Sequence, residues 1–131
     1  MQSIIPFIFV DKASEAIKLY EKAFHARVYG MSYLHEYEDV EDKTLIAQST
    51  LIIYGDHLFI GDAYEQPNPI SERSTIVIQV PTVEDVNRSF NVLKEGGHVY
   101  YEPAKLPWSD LGYSLKDAFG VVWMIYVVEQ Q

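Results

Sequence analysis

The stretch IIPFIFVDKASEAIKLYEKAF, residues 4–24, decides the fold because its pattern returns later in the chain as STIVIQVPTVEDVNRSFNVLK, residues 74–94. In both copies a strand-like run leads into an amphipathic helix. The same number of positions separates the two members of each of four apolar pairs, which are Val10/Val80, Ala16/Val86, Tyr20/Phe90 and Ala23/Leu93. A spacing held along both strand and helix indicates a duplicated supersecondary unit. We expect a ligand cleft between or beneath the two copies.

Each copy continues with three extended stretches. After a strand at residues 3–10, the first copy is predicted to have a helix over 11–24 with Asp11 as its N-cap, strands at 26–33, 44–54 and 57–62, and a tight turn at 54–57. The second is predicted to have a strand at 75–80, a helix over 81–95 capped by Thr82 and ended by Gly96 and Gly97, and strands at 98–105, 111–116 and 121–128. The sequence therefore predicts an α+β fold of two βαβββ modules.

The two modules are predicted at residues 1–63 and 75–131. Between them, residues 64–74 are predicted to form a linker, because the run EQPNPISER places two prolines among polar residues. A chain of 131 residues with 48% hydrophobic content is enough for one compact domain with a real core.

Composition narrows the possible partners and chemistry. With 19 acidic and 10 basic side chains, the net charge of −9 disfavours nucleic acid and anionic membranes and favours a cationic ligand. The absence of cysteine excludes disulfides, thiolate metal sites and thiol nucleophiles. The N-terminal residues lack a secretory pattern and no apolar run reaches membrane-spanning length, so we expect a cytoplasmic protein.

Three motifs, in this order, resemble the vicinal oxygen chelate superfamily of glyoxalases, extradiol dioxygenases and bleomycin-resistance proteins, and most of all its PhnB-like branch. They are the opening stretch at 4–24, YGDHLFIGD at 54–62 and LPWSDLGYSLKDAFGVVWMIYV at 106–127. The resemblance covers essentially the whole chain. It implies a glyoxalase-like fold, in which the two modules form a half-open barrel, and a homodimer whose partner chain completes the cleft.

Metal-dependent members of this superfamily carry a ligand on the first and last strand of each module, drawn from His, Gln and Glu. The resemblance places those four positions at Ile5, Phe59, Thr75 and Met124. Only Thr75 has a side-chain oxygen, whereas a divalent cation needs several imidazole or carboxylate donors. Where the branch tends to carry a histidine on its third strand, this chain has Gln48. We therefore expect neither a metal nor another cofactor.

Without metal ligands the cleft has an apolar and aromatic floor. Strand alternation puts Phe7 on one face with the vacant metal positions, and Trp108 and Tyr113 precede the final hairpin, where they could close over a ligand. The candidate ligand-binding residues are Phe7, Gln48, Phe59, Trp108, Tyr113 and Met124. Catalytic residues are not identified. Asp62 and Asp117 are read either as general bases in a dry cleft or as caps of backbone amides.

The leading hypothesis is a metal-independent protein that binds, and by the resemblance sequesters, a small aromatic or cationic compound. The alternative is a metal-dependent lyase or dioxygenase with unusual ligands such as His35, Glu36 or Gln48. A third reading is a purely structural or regulatory dimer. The acidic run EYEDVED, residues 36–42, is interpreted as a solvated loop.

Overall fold

The computed structural model describes residues 3–64 and 74–128. Within them the chain forms two compact units, one of residues 3–21 and 25–64 and the other of residues 22–24 and 74–128. The predicted linker at 64–74 lies almost wholly outside the described residues.

The first unit contains a four-stranded mixed sheet. Its elements are β1 (Phe7–Val10), α1 (Ala13–Phe24), β2 (Arg27–Tyr33), a short 3₁₀ helix (Leu34–Glu36), β3 (Ile46–Ile53) and β4 (Asp56–Asp62). The strand order is β1-β4-β3-β2, in which β1 runs parallel to β4 and the other pairs are antiparallel. The predicted tight turn is confirmed: Tyr54 and Gly55 join β3 to β4 with φ of 49° and 85°, as a two-residue type I′ hairpin requires.

The second unit repeats this plan. Its elements are β5 (Ile76–Val80), α2 (Val83–Leu93), β6 (His98–Leu106), β7 (Ser109–Lys116) and β8 (Val122–Val127). The strand order is β5-β8-β7-β6, again with a parallel first pair. Among the described strands each sheet keeps two edges, so neither sheet closes on itself. The predicted α+β fold of two βαβββ modules is confirmed.

The residues that revealed the duplication form the core of both units. Val10, Ala16, Tyr20 and Ala23 are buried, and so are their counterparts Val80, Val86, Phe90 and Leu93. The repeat in the sequence is therefore a repeat of core positions, which explains why it survives where surface residues have diverged. Within the described ranges, neither helix is long and apolar enough to cross a membrane.

The two helices begin differently, and the N-cap predicted for α1 is wrong. Thr82 caps α2 as predicted, since its hydroxyl accepts the Asp85 N–H at 3.1 Å. Asp11 does not cap α1, because the N-cap residue is Lys12, in the left-handed conformation and without a side-chain cap bond. The carboxylate of Asp62, on β4, accepts the Ala13 N–H instead. A capping partner 49 positions away cannot be found from the local pattern.

Candidate functional site

Three phenylalanine rings lie together on one side of the first sheet. Phe7 lies directly opposite Phe59 in the parallel pair of β1 and β4, with ring centroids 5.8 Å apart and nearly perpendicular. Phe9 follows on the same side of β1, and its ring stacks on Phe7 at 4.4 Å. Phe7 and Phe9 keep 41% and 56% of their surface exposed. We call this side, with Phe7, Phe9 and Phe59, the aromatic face.

The alternation of strand residues explains why these rings are exposed. Along β4, Leu58 and Ile60 point into the core and are buried, so Phe59 between them points to the other side. β3 adds polar groups to the aromatic face. Thr50 lies opposite Phe59, and the Gln48 side-chain amide donates to the Thr50 hydroxyl at 3.0 Å. The structure thus brings together Phe7, Gln48 and Phe59, three of the predicted site residues.

A pocket of about 370 Å³ lies at the end of β1 and β4, next to the aromatic face. Its wall includes Phe9, Leu34, Glu38, Ile46, Asp62 and Tyr64. Phe9 therefore belongs both to the pocket and to the aromatic face. Among the described residues that line the pocket none is basic, and two, Glu38 and Asp62, carry carboxylates that set its charge. We call it the acidic pocket.

Asp62 holds three elements together at this pocket. One carboxylate oxygen accepts the Ala13 N–H at 2.8 Å, at the start of α1, and the other accepts the Ile46 N–H at 2.7 Å, at the start of β3. Of the two roles weighed from the sequence, the structure supports the amide-capping one. An oxygen that already accepts a short bond from a backbone amide is a weak candidate for a general base.

The second sheet has an equivalent open side with a different composition. Val77 lies opposite Met124, as Phe7 lies opposite Phe59, and Ser114 takes the place of Thr50. Further along, the Gln79 amide donates to the Tyr126 hydroxyl at 2.8 Å. Trp108, in the turn between β6 and β7, is 49% exposed and meets the Tyr126 ring edge-on at 6.2 Å. This side therefore carries Met124 and Trp108, two more of the predicted residues.

Tyr113 does not share the open side of the second sheet, which corrects the position given to it from the sequence. It lies opposite Ile125 in the β7–β8 pair, is fully buried and packs its ring on Phe90 of α2 at 5.1 Å. Its hydroxyl donates to the Ser89 hydroxyl at 2.7 Å. The β7 strand begins at Ser109 rather than at Leu111, but the decisive reason is strand parity. Gly112 and Ser114 face the open side, so Tyr113 between them faces the helix.

Residues 2–126 match the family model described as 3-demethylubiquinone-9 3-methyltransferase. The chain belongs to this family. It is 26% identical over 136 residues to Protein YjdN of Escherichia coli strain K12, an alignment that covers 94% of this chain and 92% of that protein.

Solved structures of other proteins show the same fold. Protein PA1353 from Pseudomonas aeruginosa superposes with a TM-score of 0.87 at 22% identity, over 99% of this chain and all of that one. A glyoxylase/bleomycin resistance protein/dioxygenase domain from Frankia sp. EAN1pec superposes with a TM-score of 0.71 at 9% identity, over 99% and 94%. The predicted glyoxalase-like fold is therefore confirmed.

In this member of the family the superfamily's metal positions carry no cluster of donors. Phe59 and Met124 occupy equivalent places in the two sheets, and each lies in register with an apolar residue of the parallel strand. Ile5 lies just before β1 and Thr75 just before β5. Throughout the part of the chain that the structure describes, no three His, Cys, Asp or Glu side chains lie close enough to hold a metal ion.

The other candidate ligands are engaged in local contacts. Glu36 caps the 3₁₀ helix, because its carboxylate accepts the Tyr33 N–H at 2.7 Å, and the exposed His35 ring stacks against Tyr33 at 6.1 Å. Asp117, interpreted from the sequence as a general base or a cap of backbone amides, is buried; one oxygen accepts the N–H groups of Phe119 and Val121 and the other accepts the Trp123 indole N–H at 2.8 Å. Like Asp62, it acts as a backbone and side-chain anchor.

The acidic pocket is the feature that sequence reasoning missed. Glu38 was part of the run interpreted as a solvated loop, and most of that run is indeed exposed. In the same run the pKa of Asp42 lies below its usual range, because the Thr44 hydroxyl and then the Thr44 backbone N–H donate to its carboxylate. The signal for Glu38 was weak, because it follows the 3₁₀ helix Leu34–Glu36, after which the chain places Glu38 in the wall of the pocket that Phe9 and Asp62 also line.

Proposed function

We propose that this protein binds a small, flat aromatic compound by contact and does so without a metal ion. The observation that carries the proposal is the aromatic face, where the Phe7 ring contacts those of Phe9 and Phe59 and all three residues stay partly open to solvent. A ligand ring placed there would remove apolar surface from water and gain stacking or edge contacts, worth about 0.5–1.5 kcal/mol per aromatic pair beyond burial.

Gln48 gives the aromatic face a polar group for orienting the ligand. Its amide donates to Thr50, on the strand next to Phe59. Pockets for small molecules typically combine an apolar surface with a few such groups. On the second unit the same proposal depends on Trp108 and Met124, whose side chains lie on or beside the open side of that sheet.

The metal-dependent alternative receives less support from the side chains. It would need His35, Glu36 or Gln48 as ligands, but the Glu36 carboxylate accepts a backbone N–H and the Gln48 amide donates to a neighbouring hydroxyl. Among the described residues neither His35 nor Glu36 lies in a cluster of three His, Cys, Asp or Glu side chains. A hard or borderline divalent cation requires such a cluster to offset its dehydration.

The description of the family supplies one compound of the proposed class. A demethylubiquinone carries a flat, oxygen-substituted ring, and such a ring suits a surface of phenyl groups with an amide beside it. A demethylubiquinone analogue with a short side chain is therefore a natural second probe. Binding of the ring is what the aromatic face supports, and the proposal includes no methyl-transfer step.

The proposal is tested by NMR titration of ¹⁵N-labelled protein with tryptophol, a neutral flat alcohol. We expect shifts of amides in β1 and β4 and a dissociation constant that rises about tenfold in Phe59→Ala, since one contacting ring is worth about 1.4 kcal/mol. Tyr100→Ala is the matched control, because Tyr100 is an aromatic residue of similar exposure to Phe7 but lies on β6 of the second unit.

Either of two results would contradict the proposed binding to the aromatic face. If tryptophol and the demethylubiquinone analogue leave the β1 and β4 amides unshifted, or if Phe59→Ala binds both as well as the unmodified protein does, the aromatic face is not a binding surface.

A further inference from the structure

We propose that the acidic pocket receives the positively charged amine of the same ligand whose ring lies on the aromatic face. This inference rests on the proposed function, because it names the chemical class of the compound bound there as an aromatic amine. It follows from three features of the described residues, namely the charge of the pocket, its aromatic wall and its continuity with the aromatic face.

The charge of the pocket selects a cation. Glu38 and Asp62 line it, and within residues 3–64 and 74–128 no lysine, arginine or histidine does so. In the described part of the chain the oxygens of Asp62 accept backbone N–H groups from Ala13 and Ile46, which carry no net charge, so those bonds do not balance the carboxylate charge. An ammonium group placed beside Asp62 and Glu38 would supply the missing positive charge. The net charge of −9 adds a long-range attraction in the same direction.

The wall of the pocket also suits an ammonium group. Phe9 and Tyr64 contribute aromatic rings to it, and the face of such a ring attracts a cation within about 6 Å. Leu34 and Ile46 supply aliphatic surface for the carbon chain of the ligand. At about 370 Å³ the pocket is at the small end of ligand-binding cavities and has room for an alkyl amine.

Continuity between pocket and aromatic face sets the distance between the two parts of the ligand. Phe9 belongs to both, and Phe7 lies two residues before it, about 7 Å away along the strand. A ring stacked on Phe7 therefore needs only a short linker to bring its amine past Phe9 into the pocket. Arylethylamines have this form, with two carbons between ring and nitrogen.

The test compares three indoles that share one ring system and a short side chain but differ in charge: tryptamine, tryptophol and indole-3-acetate. We expect tryptamine to bind several-fold more tightly than tryptophol, and indole-3-acetate to bind most weakly. We expect Glu38→Gln, which keeps the side-chain size and removes the charge, to reduce the preference for tryptamine over tryptophol about two- to fivefold. Its affinity for tryptophol should not change.

Glu21→Gln is the matched control, because it removes the same charge from an exposed position of α1 that does not line the pocket. An equal loss of tryptamine preference in both variants would show that net charge alone attracts the amine, and would overturn the proposal. Chemical-shift changes caused by tryptamine but not by tryptophol should fall on the amides of residues 38 and 62–64; if they fall elsewhere, the amine does not occupy the pocket.

The two proposals fail in different ways. If tryptophol binds the aromatic face and loses affinity in Phe59→Ala, while tryptamine binds no better and Glu38→Gln has no effect, then only the assignment of the pocket is wrong. If neither indole shifts β1 and β4, the proposed function itself is wrong.

Discussion

Trp108 and Tyr113 lie five positions apart at the start of one hairpin, yet they differ in almost every physical respect. Trp108 is half exposed, and its one described ring contact is the edge of Tyr126. Tyr113 is fully buried, packs on Phe90 and donates a hydrogen bond to Ser89. A substitution at each position should therefore affect a different property of the protein.

We predict that Trp108→Ala weakens the binding of an aromatic compound to the second unit while lowering the free energy of unfolding by about 2 kcal/mol at most, less than a fully buried tryptophan would, since about half of its surface is exposed. Tyr113→Phe should leave binding unchanged and lower the free energy of unfolding by about 1 kcal/mol, because it removes one buried hydrogen bond. Urea denaturation and NMR titration with tryptamine measure the two quantities. A large loss of stability in Trp108→Ala with unchanged binding would assign Trp108 to the core.

The contrast between Trp108 and Tyr113 also shows how far the sequence predicts the face of the sheet on which a side chain lies. The sequence gives the strand on which Tyr113 lies, but its side chain is assigned to a face only once the register with β8 is fixed. Phe7 and Phe59 were assigned correctly to one face because Val10 and Leu58 anchor the parity of β1 and β4 in the core. Glu38 had no such anchor, since it follows a 3₁₀ turn whose direction no local pattern predicts.

At the scale of elements, Asp62 is the group that joins the end of β4 to the starts of α1 and β3. Its two oxygens accept one backbone N–H each, from Ala13 and Ile46. An asparagine in its place offers one acceptor oxygen and one NH₂ group, so one of the two amides must lose its partner.

We predict that Asp62→Asn lowers the free energy of unfolding by about 1–3 kcal/mol, the cost of leaving a largely buried donor unsatisfied. Urea denaturation measures this, and hydrogen exchange should show faster exchange at Ala13 or Ile46. Asp56→Asn is the control, since Asp56 begins the same strand and is exposed. Equal stability of the two variants would mean that the carboxylate does not hold these elements together.

The start of α1 shows which part of the fold could not be predicted from the sequence. The helix, strand and hairpin periods, the Thr82 cap of α2 and the turn at Tyr54 and Gly55 are local, and they were predicted correctly because each depends on residues within a few positions. The end of α2 was predicted too late, since the helix stops at Leu93 with Lys94 as its C-cap, before Gly96 and Gly97. The start of α1 was predicted wrongly because its capping group arrives from β4, through the parallel pairing of β1 with β4. Contacts made by chain topology, including the acidic pocket, become visible only once the sheet order is known.

At the scale of the whole molecule, the duplication produced two similar sheets with unlike open sides. The first carries three phenylalanines, whereas the second carries Val77, Gln79 and Met124 at the corresponding strand positions. Both sheets keep the buried pairs that define the repeat. The core has thus been retained in both copies while the open sides have diverged, which is the expected result when folding constrains one face and ligand recognition the other.

The oligomeric state of the protein can be predicted from its resemblance to a superfamily and from the exposed edge of the first sheet. The resemblance to the vicinal oxygen chelate superfamily implies a homodimer, and the edge strand β2 exposes Val28, Tyr29 and Met31, apolar surface that a second copy would cover. Native mass spectrometry should give twice the chain mass of 15.1 kDa. Because neither proposal requires a metal, treatment with EDTA should change neither that mass nor the affinity for tryptamine. A single-chain mass at micromolar concentration would show that the protein acts as a monomer. If EDTA lowers the mass by that of a divalent ion and also weakens tryptamine binding, a metal ion takes part in binding.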